Sequence, residues 1–274
     1  MNCKKSIDAD MYDENYFFSE RCPGWEKYMT KGDYSLSNLH KFAIKQACVK
    51  QEMKVMDFGC GRGELIFNLA KSGAYVVGID YSAAAVAISK KTVSLLEDDL
   101  RNRANVVQIA AGELPFEDDS FDRIFMVDVI EHLTAEEMKV TVSEFYRILK
   151  KGGMVVIHTP NQWHYDYGWK YWSYYTMKFA KFLLGKKLLT GRNPRTENEK
   201  EFHINEQTPA SLKKALKEAG FEKYDILLSN VCESNVSYIR WLLRQIIHNL
   251  WPLSLFRPLN LIFGHSLLGI AKKT

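Results

Sequence analysis

Short apolar runs alternate with amphipathic stretches through the middle of the chain. The apolar runs have the length of strands and fall at 54–58, 75–80, 123–128 and 154–161. The intervening stretches repeat apolar residues at helical spacing and fall at 65–71, 83–97 and 135–149. Strands that alternate with helices are typical of a parallel sheet covered on both faces. The pattern therefore predicts an α/β fold with a doubly wound sheet.

Further elements are predicted on both sides of this core. Residues 36–49 have helical periodicity. A helix at 209–219 is indicated by Thr208 as N-cap and Pro209 in the first turn. Ser82 is the matching N-cap residue before the helix at 83–97. The remaining predicted strands are 221–229 and 266–272.

The pattern divides the chain into a leader and one domain. Residues 1–50 precede the first strand and predict a helical lid. Residues 51–274 predict the α/β domain, with insertions at 163–200 and 235–263. Both insertions are rich in aromatic and basic residues. Unusually long connections of this kind are often functional.

Composition excludes several classes of protein. The 274 residues are 46% hydrophobic, which is ample for a core. The five cysteines are scattered without C-x-x-C spacing, so we expect free thiols in a reducing compartment and no zinc framework. No apolar run approaches the roughly 18 residues of a membrane span, and the polar N-terminus predicts no signal peptide.

The most informative stretch lies between the first strand and the first core helix. It reads D-x-G-x-G-x-G, from Asp57 through Gly59 and Gly61 to Gly63. Glycines allow positive φ and let a ligand approach the main chain. A helix N-terminus after such a turn is a nucleotide-type site. The second strand ends at Asp80, where an acid can accept from both ribose hydroxyls.

The acid before the glycines narrows the choice of nucleotide. Phosphate-binding fingerprints read G-x-G-x-x-G or end in G-K-[ST], and this chain has neither. A carboxylate at Asp57 repels a phosphate and attracts an ammonium group. The motif therefore favours a nucleoside that carries an amino acid over a dinucleotide.

The glycine motif resembles the first motif of class I S-adenosylmethionine-dependent methyltransferases. The later stretches at 110–122, 123–133 and 150–161 resemble the family in the same order. The resemblance covers roughly residues 50–162 and includes the ubiquinone- and menaquinone-pathway enzymes. It implies a Rossmann-like, seven-stranded sheet of order 3-2-1-4-5-7-6 with the last strand antiparallel.

The resemblance also implies a set of cofactor-binding residues for S-adenosylmethionine. The glycine loop lies along the methionine part, Asp57 holds its amino end and Asp80 takes the ribose. The full set is Asp57, Gly59, Cys60, Gly61, Gly63, Asp80, Tyr81, Glu113, Leu114, Asp128 and Val129. The family commonly has an acid for the adenine amino group where this chain has Ala110. Glu113 or main-chain carbonyls then have to replace it.

A polar cluster follows the fourth strand. His132 lies past the carboxyl end of that strand, where ligands of open α/β sheets gather. An imidazole there can act as a general base on a hydroxyl acceptor, or it can cap the next helix. The spacing Asp128-x-x-Glu131-His132 also resembles the E-x-x-E-H of ubiquinone-pathway O-methyltransferases. That resemblance implies a divalent cation on these three residues.

Other residues are candidates for the acceptor site. Two are aromatic residues of the leader, and the others lie near the ends of the later elements. They are Tyr16, Trp25, His158, Trp163 and His203. A leader that only packs on the sheet edge, and histidines that are only structural, are the alternatives.

The net positive charge of the chain is concentrated in two segments that overlap the insertions. Residues 163–197 contain seven basic and two acidic residues, and residues 236–274 contain five basic and no acidic residues. Aromatic and basic residues together can roof an acceptor pocket or contact anionic lipid headgroups. The chain lacks the N/D-P-P-Y motif of nucleic-acid methyltransferases, so no nucleic-acid partner is expected.

These observations predict a methyltransferase that acts on a small molecule. The expected reaction is O-methylation of an apolar or lipid-linked acceptor, in the cytoplasm or at the inner face of a membrane. The alternative is a non-catalytic, membrane-associated adapter that retains the methyltransferase fold. A dehydrogenase is disfavoured by Asp57 and by the glycine spacing.

Overall fold

The computed structural model describes residues 6–22, 24–31, 34–167, 178, 201–229 and 264–274. The predicted insertions at 163–200 and 235–263 therefore lie almost wholly outside the described residues, apart from 163–167 and 178. Within the described part of the chain, no helix is long and apolar enough to cross a bilayer.

One seven-stranded sheet forms the centre of the protein, in the order β3-β2-β1-β4-β5-β7-β6. The strands are β1 (Lys54–Phe58), β2 (Tyr75–Asp80), β3 (Ala104–Gln108), β4 (Phe121–Val127), β5 (Leu149–Pro160), β6 (Lys223–Ser229) and β7 (Ser266–Lys272). Strands β1 to β5 are parallel, and β7 runs antiparallel to both β5 and β6. The predicted fold, strand order and antiparallel last strand are confirmed.

Helices cover both faces of the sheet. They are α1 (Glu14–Phe17), α2 (Trp25–Lys31), α3 (Asn38–Ala47), α4 (Glu64–Lys71), α5 (Ala83–Val93), α6 (Asp98–Arg101), α7 (Ala135–Ile148) and α8 (Pro209–Glu218). The predicted caps are present, because Ser82 and Thr208 accept from the main chain of their helices. The helix predicted at 83–97 ends at Val93, and a separate short helix, α6, follows.

The core consists of two apolar layers separated by the sheet. Successive side chains of a strand point to opposite faces, so Ile124 and Met126 join one layer while Phe125 joins the other. Helices α7 and α8 cover the first layer, and α3, α4 and α5 cover the second. Because both faces are buried, the ligand-accessible edge is the one formed by the carboxyl ends of the parallel strands.

The leader runs over that edge. The hydroxyl of Ser82 donates to the carbonyl of Tyr12 at 2.7 Å. A small apolar cluster joins Tyr12 and Phe17 to α5 and to Phe202. The leader therefore packs on the N-terminal end of α5, beside the end of β2.

The two long connections begin and end at one corner of the sheet. Residues 168–200 lie between the ends of β5 and α8, and 230–263 lie between β6 and β7. At this corner the side chain of Asn161 donates to the carbonyl of Gly264 at 2.8 Å. The main-chain amide of Asn161 donates to His265 at 3.0 Å. The sheet and its hydrogen bonds therefore hold the residues before and after each connection close to one another.

Candidate cofactor and acceptor site

The glycine loop turns sharply between β1 and α4. Gly59, Gly61 and Gly63 have φ of 76°, 50° and 83°, a region that favours glycine. A side chain at Gly59 would collide with Val129, and one at Gly63 would come within 2.9 Å of the Ser89 hydroxyl. The loop is therefore packed directly against the segment that follows β4.

Two buried acids lie behind this loop. Asp80 accepts hydrogen bonds from the amides of Gly61 and Ser82, both at 3.0 Å. Burial nevertheless raises the pKa of Asp80. Burial, followed by the negative charge of Asp80, raises the pKa of Asp57 to about 8. No described residue donates a hydrogen bond to the Asp57 carboxylate.

Such an acid is costly unless it has a cationic partner. Asp57 therefore fits the ammonium group of an amino acid. Asp80, at the end of β2, fits a ribose.

Arg62, within the glycine loop, binds the leader. Its guanidinium donates to the carbonyls of Phe17 and Cys22 at 3.1 and 3.3 Å and pairs with Glu64 at 2.7 Å. It also lies 5.7 Å from the ring centre of Tyr28. The side chain is only 8% exposed. Arg62 therefore joins the cofactor-side loop to the segment that covers it.

Strand β4 ends in an unusual residue. Asp128 has a φ of 55°, which is uncommon for a residue with a side chain and recurs at functional sites. Its carboxylate lies 2.6 Å from Nδ1 of His158, which is buried at the end of β5. Although partial burial opposes ionisation, His158 lowers the pKa of Asp128. The side chain of Asp128 is half-exposed.

Glu131 and His132 form a second polar group just beyond Asp128. Glu131 is 1% exposed and accepts from the Thr159 hydroxyl at 3.0 Å. Burial and the negative charge of Asp128 raise the pKa of Glu131 to about 7. Burial, then the neighbouring His203, lower the pKa of His132 to about 4. At neutral pH the imidazole is therefore uncharged and Glu131 is the group poised to exchange a proton.

The structure brings His203 into this group from a position 71 residues beyond His132. Nδ1 of His132 lies 3.0 Å from the carbonyl of Phe202, and the rings of His132 and His203 are 5.1 Å apart. The ligand atoms of Glu131, His132 and His203 all lie within 4.8 Å of one another. Two imidazoles and a carboxylate can hold a transition metal.

The predicted metal set thus differs from the grouping seen here. Asp128 lies with His158, and His203 lies with Glu131 and His132. Metal binding itself stays a prediction.

The remaining predicted residues are distributed around these groups. Tyr16 packs at 5.4 Å from Phe202 in the leader cluster, and Tyr81 packs at 5.6 Å from Tyr12. Leu114 is buried and Glu113 is exposed in the loop after β3. Cys60 is buried beside Ser89.

Two tryptophans complete the predicted acceptor set. Trp25 begins α2 and is half-buried. Trp163 is half-buried, and its amide donates to the Asn161 side chain. Their assignment to the acceptor site stays a prediction.

Comparison with known proteins agrees with this geometry. Residues 56–157 match the family described as "Methyltransferase domain". The chain is similar to an uncharacterized methyltransferase of Synechocystis, with 32% identity over 127 residues, 45% of this chain and 56% of that protein. It is 33% identical over 125 residues to a demethylmenaquinone methyltransferase of Staphylococcus aureus, 44% of this chain and 49% of the relative.

A third relative is a ubiquinone/menaquinone biosynthesis C-methyltransferase of Geotalea daltonii. The identity is 30% over 120 residues, 43% of this chain and 49% of the relative. The matched region spans about half the length of these curated relatives. The glycine loop, both acids and the segment from Asp128 to His132 all fall within 56–157.

Residues 56–157 form a methyltransferase domain, of the class I S-adenosylmethionine-dependent type that the motifs resemble.

The fold of this methyltransferase is shared with solved structures. The phosphoethanolamine N-methyltransferase 2 of Haemonchus contortus superposes with a TM-score of 0.60 at 18% identity. The superposition covers 96% of this chain and 60% of the other. At this identity the likeness concerns the fold alone.

The family match indicates which part of the methyltransferase site holds the cofactor and which part faces the acceptor. The cofactor of the family is S-adenosylmethionine, and Asp57, the glycine loop and Asp80 have the chemistry to hold it. The segment from Asp128 to His132 lies against this loop through the contact between Val129 and Gly59.

Sequence reasoning missed several residues of the methyltransferase site. They are Tyr12, Arg62, Thr159 and Phe202. Each acts through a contact between distant parts of the chain. A local signal existed only for Arg62, a long cationic side chain placed between two glycines.

Proposed function

We propose that this protein transfers a methyl group from S-adenosylmethionine to an oxygen of a small molecule. One observation carries the proposal: Gly59 of the cofactor-side loop packs on Val129, beside the buried group of Glu131 and His132. Donor and acceptor would therefore meet over the ends of β1 and β4. Alignment of two reactants accounts for much of the rate enhancement of such displacements.

The donor supplies an activated sulfonium methyl group, so the protein needs no nucleophile of its own. Asp57 would pair with the ammonium group, and Asp80 would accept from the ribose hydroxyls. The leader, through Tyr12 and Phe17, excludes water from the cofactor-side loop.

Glu131 would accept the proton of an acceptor hydroxyl. Its pKa of about 7 leaves a useful fraction ionised at neutral pH, whereas His132, with a pKa of about 4, is an uncharged hydrogen-bonding partner. Tyr16 of the leader and Phe202, which packs against it, would add aromatic walls. This combination supports an aromatic or enolic hydroxyl acceptor with an apolar body.

Similarity to quinone-pathway relatives supports the same acceptor class, and one of these is a C-methyltransferase by name. Loss of a proton from a phenol activates both its oxygen and its ring carbons. The test therefore has to locate the new methyl group, and a methyl group on carbon would refute O-methylation.

The test uses reduced demethylmenaquinone and S-adenosylmethionine with a labelled methyl group. The rate should rise with pH through about 7 and then level, because only ionised Glu131 accepts a proton. Glu131→Gln should lower kcat roughly 10²- to 10⁴-fold, the usual contribution of a general base, and remove this limb of the profile.

Product analysis by mass spectrometry and NMR would then locate the methyl group on oxygen or carbon. Asp98→Asn, on the exposed helix α6, is the matched control and should behave like the wild type. A Glu131→Gln variant with an unchanged pH profile would refute the role of this carboxylate.

We further propose a lipid-linked acceptor reached at the cytoplasmic face of a membrane. The support is the composition of 163–200 and 235–263, which lie mostly outside the described residues. The full chain should sediment with vesicles containing anionic lipid and not with neutral vesicles. Equal behaviour with both would refute membrane contact.

A further inference from the structure

The β3–β4 loop (109–120) is hydrogen-bonded along α7. The amide of Gly112 donates to the Thr141 hydroxyl at 3.0 Å, and the amide of Leu114 donates to Glu144 at 2.9 Å. Thr141 is fully buried. These bonds turn alternate main-chain groups of the loop toward the helix.

Arg147 holds the same loop by its carbonyls. Its guanidinium donates to Leu114 at 2.9 Å and to Phe116 at 2.8 Å. It is itself oriented by Glu144 and Asp118, each with a contact of 2.7 Å. Hydrogen bonds from Arg147 lower the pKa of Glu144, so the pair is ionised at neutral pH. One ion pair thus fixes a donor and two acceptors of the loop.

The opposite side of the loop is accessible. Among the described residues, the main-chain groups of Ala111 and Glu113 have no hydrogen-bond partner. Gly112 has a φ of 127°, and apart from its two chain neighbours no described residue has an atom within 4 Å of where its side chain would begin. Such open main chain next to a glycine can receive a flat ring.

The strand order places this loop next to the ribose site. The glycine loop follows β1, and Asp80 ends β2 in the neighbouring position. The next strand outward is β3, and the amide of Ile109 donates to the carbonyl of Asp80 at 2.9 Å. A nucleoside that is held at Asp80 and directed away from the acceptor group therefore reaches the β3–β4 loop with its base.

We propose that Glu144 and Arg147 are positioning residues. They hold the main chain of Ala111 and Glu113 in the conformation that hydrogen-bonds the adenine base. The inference rests on the proposed function, because it assumes that S-adenosylmethionine is the donor. It also explains how this chain can dispense with an acidic side chain at Ala110. A main-chain carbonyl held in place accepts from the adenine 6-amino group without help from a carboxylate.

The test compares two ligands by calorimetry: S-adenosylhomocysteine and S-inosylhomocysteine, in which an oxo group replaces the 6-amino group. Wild type should bind S-adenosylhomocysteine more tightly, because its 6-amino group can donate to a main-chain carbonyl. The 6-oxo group of S-inosylhomocysteine cannot donate and would face that carbonyl oxygen. Arg147→Ala should weaken the adenine ligand roughly tenfold, which is about 1.4 kcal/mol. The preference between the two ligands should fall roughly threefold or more, since an unheld carbonyl no longer selects the base.

Paired changes at Glu144 and a control at Arg103 separate a positioning role from a general effect on stability. Glu144→Gln keeps an acceptor for Leu114 and should keep most of the preference, whereas Glu144→Ala should lose it. Arg103→Ala is the matched control, because Arg103 also bonds a carboxylate and a carbonyl, those of Glu52 and Gly73, at a different edge. It should leave both affinities unchanged.

Three results would overturn the inference. The first is wild-type protein that binds both ligands equally. The second is Arg147→Ala or Glu144→Ala with a lower melting temperature but an unchanged preference. The third is loss of the preference in Glu113→Gln, which would assign recognition to that side chain. Wild-type protein that binds neither ligand would refute the proposed function instead.

Discussion

Asp57 is the residue at which folding and binding make opposite demands. Its carboxylate is 3% exposed and has no hydrogen-bond donor among the described residues. Its pKa is about 8 in the folded chain and near 4 when unfolded. Between these values the folded chain retains a proton that the unfolded chain has lost, so stability falls as pH rises from about 4 to about 8.

Asp57→Asn should therefore stabilise the cofactor-free protein increasingly as pH rises. The expected gain near pH 8 is about 1–3 kcal/mol, the usual cost of an unsatisfied buried polar group, and near pH 4 it should vanish. The same change should weaken binding of S-adenosylhomocysteine, because the ammonium group loses its counter-charge. Thermal unfolding at pH 5 and pH 8 and calorimetry measure the two effects.

A solvent-exposed carboxylate of the same protein provides the control for Asp57. The Asp98 side chain is 89% exposed, so Asp98→Asn should show no gain that grows with pH. An equal gain from Asp57→Asn at both pH values would contradict the assignment of a raised pKa.

At the scale of elements, the leader and the glycine loop act as one unit. Arg62 connects them through carbonyls of Phe17 and Cys22, while Ser82 holds Tyr12 at the start of α5. The leader covers the loop along which the cofactor would lie. We therefore predict that the leader opens when one cofactor molecule is exchanged for the next.

Arg62→Ala should release the leader without unfolding the sheet. Hydrogen bonds to a charged group contribute about 1.5–3 kcal/mol, so opening should become at least roughly tenfold more frequent. Limited trypsin cleavage after the exposed Lys27 in α2 measures this opening. Arg103→Ala is the control, and faster cleavage throughout the sheet would contradict a local effect.

The sequence predicted the elements better than the contacts between them. The caps at Ser82 and Thr208 and the position of the glycine loop follow from short-range patterns, whereas the strand order was implied by the family resemblance. His203 joins Glu131 and His132 from a position 71 residues beyond His132, and no periodicity in the sequence predicts this grouping. The left-handed conformation of Asp128 has no sequence signal either, beyond the tolerance of Asp for it.

At the scale of the whole molecule, the cofactor would complete the fold. Two buried acids, the glycine loop and the leader all face the same ligand, so its binding should couple to global stability. S-adenosylhomocysteine at 100 times its Kd should stabilise the protein by about 2.7 kcal/mol. Differential scanning calorimetry measures this, and Asp80→Asn should abolish most of it at the same ligand concentration. A ligand that binds but leaves the melting temperature unchanged would contradict the coupling.

The corner of the sheet where both long connections begin and end has a consequence for diversification. Asn161, Gly264 and His265 hold the chain together on the sheet side of 168–200 and 230–263. Lineages can therefore lengthen, shorten or exchange these segments while the strands, the acids and the glycine loop stay as they are. The donor site is built on the sheet itself, so we expect that exchange of these attachments at its corner would leave cofactor binding intact.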